Sequence, residues 1–169
     1  DYERAMKLAP TDPKPYSNRG DVNRKRGDYK QAIADYSRAI SLDPSRAIEH
    51  SDLAEVYMLT GQFDLALANA ARSVELDRNR SAGYFARGLS AFYQGEYRTA
   101  APDLRRALDL RTSPYTIMYR YLAQARAGET ATLELEADAK RLESKAWPYA
   151  LIEMLIGHRD PAAVSPGAD

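Results

Sequence analysis

Residues that could carry out chemistry are few in this chain of 169 residues, which contains two histidines and no cysteine. His158 stands in a Gly-His-Arg-Asp turn with no second histidine beside it, so we expect no metal site there. His50 lies midway between Tyr16 and Tyr84 in a repeated pattern of residue types, and this shared position favours a packed core imidazole. Neither histidine is therefore expected to act as a catalytic base or as a metal ligand.

Charged clusters give no stronger indication of catalysis. Glu134, Glu136 and Asp138 could supply paired carboxylates, but their spacing is typical of a solvated helix face. The segment Arg24-Lys25-Arg26 is the single basic cluster, and it falls at a helix end, where cations interact favourably with the helix dipole. A nucleic-acid surface would need several such clusters on one face, and no glycine-rich phosphate loop occurs. We therefore expect no enzyme, no cofactor, no metal and no nucleic-acid partner.

The overall charge points in the same direction. Lysine plus arginine and aspartate plus glutamate each total 24, so the formal net charge is zero. A neutral chain has no general electrostatic attraction to nucleic acid or to an anionic membrane. No apolar run approaches the roughly 20 residues that span a bilayer, so we expect no membrane insertion by this fragment.

A repeated pattern organises the chain. The segment 13–46 predicts two short helices joined at Gly27-Asp28-Tyr29 and closed by Asp43-Pro44, and its residue types recur at a constant step along the chain. Four sets of positions show the step: Gly20, Ala54, Gly88 and Leu122; Ala32, Ala66 and Ala100; Leu8, Leu42, Leu76 and Leu110; Gly27, Gly61 and Gly95. Beyond this point Gly128 comes one position early. A fixed period of this length predicts an array of helical repeats.

The small residues have a physical role in such an array. Gly20 and Ala32 would allow two antiparallel helices to approach closely, while Tyr36 would fill the space where they diverge. We expect Arg19 to lay its methylenes on the neighbouring helix and to keep its charge in water. Pro102 falls inside a predicted second helix, where a proline should strain or kink it.

The pattern resembles the tetratricopeptide repeat (TPR) over residues 1–127. The residues that carry the resemblance are Tyr16, Gly20, Ala32, Tyr36, Ala39 and Pro44. The resemblance implies an all-α, right-handed superhelical solenoid of TPR helix-turn-helix hairpins with C-terminal capping helices. Arg19 and Arg87 replace the usual leucine of the family, as in many bacterial members.

The resulting division of the chain has seven parts. They are a second helix of a truncated repeat (1–12), three TPRs (13–46, 47–80 and 81–114), a degenerate TPR (115–144), a capping helix (145–158) and a flexible tail (159–169). We expect the chain to be a fragment or a processed form of a longer protein. Residues 130–144 predict an amphipathic helix with Leu133, Ala137 and Leu142 on one side.

Residues 113–165 carry a second resemblance, to the C-terminal half of bacterial NlpI-like lipoproteins. It rests on the fourth first helix, an irregular second helix, the Trp147-Pro148 element and the ending Leu155-Ile156-Gly157. The resemblance implies a cell-envelope protein that acts as an adaptor for other envelope proteins.

First helices line the concave surface of a TPR superhelix, and positions i, i+4 and i+7 share a face there. The predicted groove residues are Ser17, Asp21, Arg24, Ser51, Glu55, Met58, Phe85, Leu89, Phe92, Tyr119, Ala123 and Arg126. They pass from a polar end to an aromatic end, so we expect a non-catalytic scaffold that binds a protein or peptide segment, with Phe85 and Phe92 as anchors. Capture of a C-terminal carboxylate is disfavoured, because Asp21, Asp52 and Glu55 occupy part of that region.

Two alternatives remain open at this point. The C-terminal helices of the chain could fold back over the aromatic end of the groove, as capping helices in repeat arrays do. The chain could also be a structural or homo-oligomerisation module, in which case a homodimer is expected.

Overall fold

The computed structural model describes residues 2–143 and 148–158, and in these ranges it contains helices and no strand. The helices are α1 (Tyr2–Leu8), α2 (Pro13–Lys25), α3 (Tyr29–Leu42), α4 (Ala47–Leu59), α5 (Phe63–Leu76), α6 (Ser81–Tyr93), α7 (Tyr97–Leu110), α8 (Pro114–Arg126), α9 (Thr132–Ala139) and α10 (Tyr149–Leu155). Helices α2 and α3, α4 and α5, and α6 and α7 pack as hairpins, and each second helix also packs against the next first helix. The predicted all-α solenoid of TPR hairpins is confirmed.

Each first helix ends at a glycine with a left-handed backbone. At the end of α4, Gly61 has φ +73°, and the amide of Gln62 donates to the carbonyl of Tyr57 at 2.8 Å. This bond closes the Schellman arrangement, which a glycine allows without a Cβ clash. The chain therefore reverses within a short turn and starts the second helix. The cluster Arg24-Lys25-Arg26 lies at the equivalent helix end, as predicted.

The predicted close helix crossings are confirmed. A Cβ added to Gly20 would lie 2.8 Å from Cε1 of Tyr36, and one added to Gly88 would lie 2.9 Å from Cγ of Leu104. Tyr36 is fully buried, and its ring lies against Gly20 at the crossing itself. Glycine is needed at these two positions because the opposing side chain occupies the space of a Cβ.

The change of register comes earlier than the position of Gly128 suggested. Helix α8 begins one position before the place that the repeat step from α6 predicts, because the loop 111–113 is shorter by one than the loops 43–46 and 77–80. The structural equivalent of Gly20 and Gly88 in the fourth hairpin is therefore Tyr121, and the alignment of Leu122 with them was wrong. Nothing in the glycine spacing alone could separate a shorter loop from a shorter helix.

Arg19 does not keep its charge in water, in contrast to the expectation. Its Nε and Nη2 atoms donate to the Asp35 carboxylate at 2.9 and 2.6 Å, and Asp35 is 2% exposed. The third hairpin repeats this two-bond pair between Arg87 and Asp103, with both bonds at 2.6 Å. These hydrogen bonds raise the pKa of both arginines. We call the repeated contact the arginine–aspartate tie, and it joins the two helices of one hairpin.

The tie returns in the fourth hairpin and is absent from the second. Arg120 Nη1 donates to Asp138 at 2.6 Å, and Arg120 occupies the position of Arg19 and Arg87 once the shorter loop is counted. The second hairpin has Leu53 and Asn69 at the two positions. Leu53 is buried among apolar side chains, and Asn69 contacts Nδ1 of His50 at 3.2 Å. His50 is 9% exposed, so the predicted packed imidazole is confirmed.

Helix α9 turns the opposite face inward from the one predicted. Leu133 is 80% exposed, whereas Leu135, Asp138 and Ala139 are buried. Asp138 is therefore not part of a solvated face, because it lies against the buried guanidinium of Arg120, whose charge needs a partner. Glu134 also contacts Arg120, at the exposed edge of the pair.

The remaining C-terminal residues complete a core around α8. Its members are Leu108, Ile117, Leu135, Ala139 and Ile152. Helix α7 continues through Pro102 for 14 residues, the same length as α3 and α5. Trp147 and the predicted tail 159–169 lie outside the described residues.

Candidate partner-binding groove

A cavity of about 1150 Å³ lies along the first helices α4, α6 and α8. We call it the groove cavity. Residues that line it are Ser51, Asp52, Glu55, Met58, Leu59, Gly61, Phe63, Ser81, Ala82, Phe85, Ala86, Leu89, Tyr93, Arg111, Thr112, Ser113, Pro114, Tyr115, Thr116 and Tyr119. No described residue of α9 or α10 is among them, since these helices pack around the core near Leu108 and Ile117 instead.

The apolar part of the wall is open to solvent. Leu59 is 52% exposed, Tyr93 is 49% exposed and Tyr115 is 48% exposed. Side chains of this size and exposure leave about half of their surface outside the packing of the hairpins that carry them. That surface is therefore available to contact another molecule.

Aromatic rings give this part of the wall a fixed shape. The rings of Phe63 and Tyr93 stack with centroids 5.2 Å apart, and Tyr119 meets Phe85 edge to face at 6.4 Å. The hydroxyl groups of Tyr93 and Tyr119 lie 3.0 Å apart. Burial, with this hydrogen bond, raises the pKa of Tyr119 to about 12, so its hydroxyl stays neutral at physiological pH.

The two predicted aromatic anchors have different surroundings. Phe85 is half-buried and lines the groove cavity. Phe92 does not line it and packs behind the wall against Tyr97 and Tyr119, with centroids 5.3 and 5.5 Å away. Ala123 is fully buried beside it. Phe92 thus supports the ring of Tyr119 from the core side.

The polar part of the wall centres on Asp52. The nearest cation is Arg80, with Nη2 3.9 Å from the Asp52 carboxylate, while Nε of Arg80 donates to Ser51 at 2.8 Å. Burial, opposed by Arg80, raises the pKa of Asp52 to about 6. Glu55 also lines the cavity and accepts from Arg24 at 2.8 Å. Arg111 is the cation on the wall among the described residues.

The first hairpin uses its predicted groove residues for contacts within the fold. Ser17 is buried and donates to Glu49 at 2.6 Å. Asp21 accepts from the Tyr36 hydroxyl at 2.6 Å, and burial together with this bond raises the pKa of Tyr36. Arg24 pairs with Glu55. None of these three first-hairpin side chains lines the groove cavity.

Half of the predicted set therefore meets at one cavity. The residues brought together are Ser51, Glu55, Met58, Phe85, Leu89 and Tyr119. Arg126 is exposed at the end of α8 and does not line the cavity. A role of any of these residues in binding stays a prediction.

The predicted set left out the lining residues Asp52 and Ala86. They share one position on α4 and α6 with the predicted Tyr119 on α8, next to the row of Ser51 and Phe85. The spacing i, i+4, i+7 selects one row only, but a concave helix surface is about two rows wide. A repeat alignment corrected for the shorter loop would have revealed them.

The described ranges hold neither a metal-binding cluster nor a membrane-spanning helix. They contain no group of three or more histidine, cysteine, aspartate or glutamate side chains that could hold a metal ion. None of the helices in the same ranges has the length and apolarity to cross a bilayer.

The stacked hairpins, the glycine crossings and the concave cavity define an all-α repeat protein of the solenoid class. Two family models match: a TPR repeat at residues 20–61 and a tetratricopeptide repeat at residues 85–150. The chain carries tetratricopeptide repeats. No curated protein sequence matches it significantly.

Solved structures with the same fold are similar to this chain at low identity. MamA is 18% identical with a TM-score of 0.75 over 86% of this chain and 81% of that one. YrrB, described as a TPR protein with an unusual peptide-binding site, is 17% identical with a TM-score of 0.74 over 94% of this chain and 85% of its own. The yeast Sti1 TPR2B domain, solved as a complex with pHsp70, is 19% identical with a TM-score of 0.65 over 68% and 98%. At these identities the likeness concerns the fold.

Proposed function

We propose that this protein is a non-catalytic interaction scaffold and that the groove cavity binds a segment of a protein partner. The observation that carries the proposal is the exposure of Leu59, Tyr93 and Tyr115 together on one concave wall. Apolar side chains that are exposed side by side in a concave site are typical of a binding surface. YrrB has a peptide-binding site and the yeast Sti1 domain forms a complex with pHsp70 on the same fold, which supports the proposal.

The test uses random peptides displayed on phage and selected on the purified chain. Selected peptides are then synthesised, labelled and measured by fluorescence anisotropy. Replacing Leu59 or Tyr115 with alanine should weaken binding by about tenfold or more, because truncation of a contact residue removes apolar area from the interface. Both side chains are about half exposed, so their loss should leave helicity unchanged.

The matched control is Leu133→Ala, which makes the same substitution as Leu59→Ala at a side chain that is 80% exposed on α9. Its binding should equal that of the unmodified chain. Equal losses in Leu59→Ala and Leu133→Ala would overturn the groove cavity as the binding site. Light scattering over a concentration series tests the alternative of a homodimer, and a tight dimer that Tyr115→Ala dissociates would replace partner binding with self-association.

We further propose an adaptor role in the bacterial cell envelope, supported only by the NlpI-like resemblance of residues 113–165. Fractionation of cells that express this protein tests this location. Recovery in the cytoplasmic fraction would overturn it without affecting the groove proposal.

A further inference from the structure

We propose that the groove cavity selects a segment in which an arginine or lysine side chain pairs with Asp52 while a large apolar side chain contacts the aromatic wall. This inference rests on the proposed function and adds the chemical class of the ligand. It commits to an extended, basic and apolar protein segment as the occupant, and its argument is charge complementarity within the cavity.

Asp52 is the carboxylate in the cavity whose hydrogen bonds are not filled by the fold. Arg80 is 3.9 Å away, beyond a direct hydrogen bond, and no other hydrogen bond to the Asp52 carboxylate occurs within residues 2–143 and 148–158. Asp35 shows the contrast, since it accepts from Arg19, Asn23 and Gln31. The Asp52 side chain is 22% exposed, so its oxygen lone pairs are open to water and to a ligand.

Each neighbouring charge already has at least one partner within the fold. Arg24 is held by Glu55 at 2.8 Å, and Arg80 uses its Nε donor for Ser51. Asp21 accepts the Tyr36 hydroxyl. The surroundings of Asp52 therefore hold two cations, Arg24 and Arg80, and two further carboxylates, Asp21 and Glu55. An added cation would balance the remaining negative charge.

Other classes of ligand fit this cavity less well. A purely apolar segment would bury the Asp52 carboxylate without a hydrogen-bond donor, which has a high cost in free energy. An acidic segment would meet Asp52 and Glu55 in the same cavity. A basic group instead gains a charge-assisted hydrogen bond in a partly dehydrated site, and aromatic rings such as Tyr119 attract cations as well.

The register of the helices gives the spacing of the two ligand side chains. Asp52 and Ala86 occupy the same position on α4 and α6, and Phe85 adjoins Ala86. Neighbouring helix axes lie about 10 Å apart, and an extended chain covers about 3.3 Å per residue. The basic residue and the apolar residue should therefore be about three positions apart, or about six if the apolar side chain reaches Tyr119 on α8.

The probes are fluorescein-labelled peptides of glycine and serine that carry one phenylalanine and one arginine, three or six positions apart and in both orders. Matched peptides replace the arginine with citrulline or with glutamate. In anisotropy titrations with the full chain, the best arginine peptide should bind about tenfold more tightly than its citrulline form. Asp52→Asn should bring the affinities of the arginine and citrulline peptides close together. Arg111→Gln should keep or increase the difference between them, because this substitution removes a positive charge from the wall.

Several results would overturn the inference. They are equal binding of the arginine and citrulline peptides, tighter binding of the glutamate peptide, and a ratio that Asp52→Asn leaves unchanged. Competition by spermidine that is independent of the phenylalanine would assign the site to a small polyamine and would also overturn it. These failures leave the proposed function standing, because that proposal is tested separately, by the response of the phage-selected peptides to Leu59→Ala and Tyr115→Ala.

Discussion

Asp52 should lower the stability of the fold at neutral pH, and the substitution Asp52→Asn should reveal this. The pKa of Asp52 is about 6 in the folded chain against an ordinary value of 3.8, with burial as the main cause. Its carboxyl group therefore holds a proton in the folded state at pH values where the unfolded chain has released it. The contribution of Asp52 to stability is then greatest below about pH 4, falls as the pH rises to about 6, and stays lower above that.

The size of the effect follows from the difference between the two pKa values. One pKa unit corresponds to about 1.4 kcal/mol, so the upper bound is about 3 kcal/mol. The Asp52 side chain is 22% exposed, and solvent together with a small shift of Arg80 should reduce the value to about 1–2 kcal/mol. Asparagine keeps the shape and has no charge to bury, so Asp52→Asn should raise the free energy of unfolding by this amount at about pH 7.5.

The assay is urea denaturation followed by far-UV circular dichroism, at about pH 4 and about pH 7.5. The gain of Asp52→Asn should be present at the higher pH and disappear at the lower one. Asp64→Asn is the matched control, because Asp64 is exposed and its contact with Gln94 can be kept by an amide oxygen. A variant that is less stable than the unmodified chain at about pH 7.5 would refute the reasoning, since attraction to Arg80 would then outweigh burial.

Three further substitutions test the packing of the hairpins by the same urea assay. Asp35→Ala should cost about 1–3 kcal/mol, because it leaves the partly buried guanidinium of Arg19 without its hydrogen-bond partner; a loss below about 0.5 kcal/mol would show that Arg19 reaches water instead. Gly88→Ala should cost about 1–3 kcal/mol as overpacking of the crossing, because its Cβ would lie 2.9 Å from Leu104, and an unchanged urea midpoint would contradict this close crossing. Phe92→Ala should cost about 3 kcal/mol as a core truncation, and retained stability with weaker peptide binding would place its ring in the groove instead.

The repeat fold could be predicted from the sequence because its cause is local and periodic. In the first three hairpins the helix crossing has a small residue at one fixed place, so Gly20 and Gly88 mark the crossing and the step between them gives the array. The turn glycines add a second marker with the same step. Each requirement involves a few atoms within one hairpin, so the residue types in the sequence indicate it directly.

The polar contacts were harder to predict because each needs two distant residues. The sequence position of Arg19 is compatible with a guanidinium group in water and equally with a buried ion pair. Only the packing of α3 places Asp35 against it. The spacing between Arg19 and Asp35 along the chain is the same as that between Arg87 and Asp103. That repetition was the available indication.

The groove was predicted only in part because its geometry depends on one inserted or missing residue. The shorter loop before α8 shifts every position of the fourth hairpin, which moved Ala123 into the core and left Tyr119 on the wall. The importance of Asp52 depends on its distance to Arg80, which no spacing in the sequence encodes.

The arginine–aspartate tie also bears on how this chain avoids incorrect pairing between equivalent helices of different repeats. A helix hairpin formed between α2 and α5 would set Arg19 opposite Asn69, and one between α4 and α3 would set Leu53 opposite Asp35. Either exchange would leave a charged side chain without a partner in a partly buried position, whereas the native pairing joins Arg19 to Asp35. The missing tie in the second hairpin thus makes adjacent copies chemically distinguishable and disfavours incorrect pairing of helices within the chain.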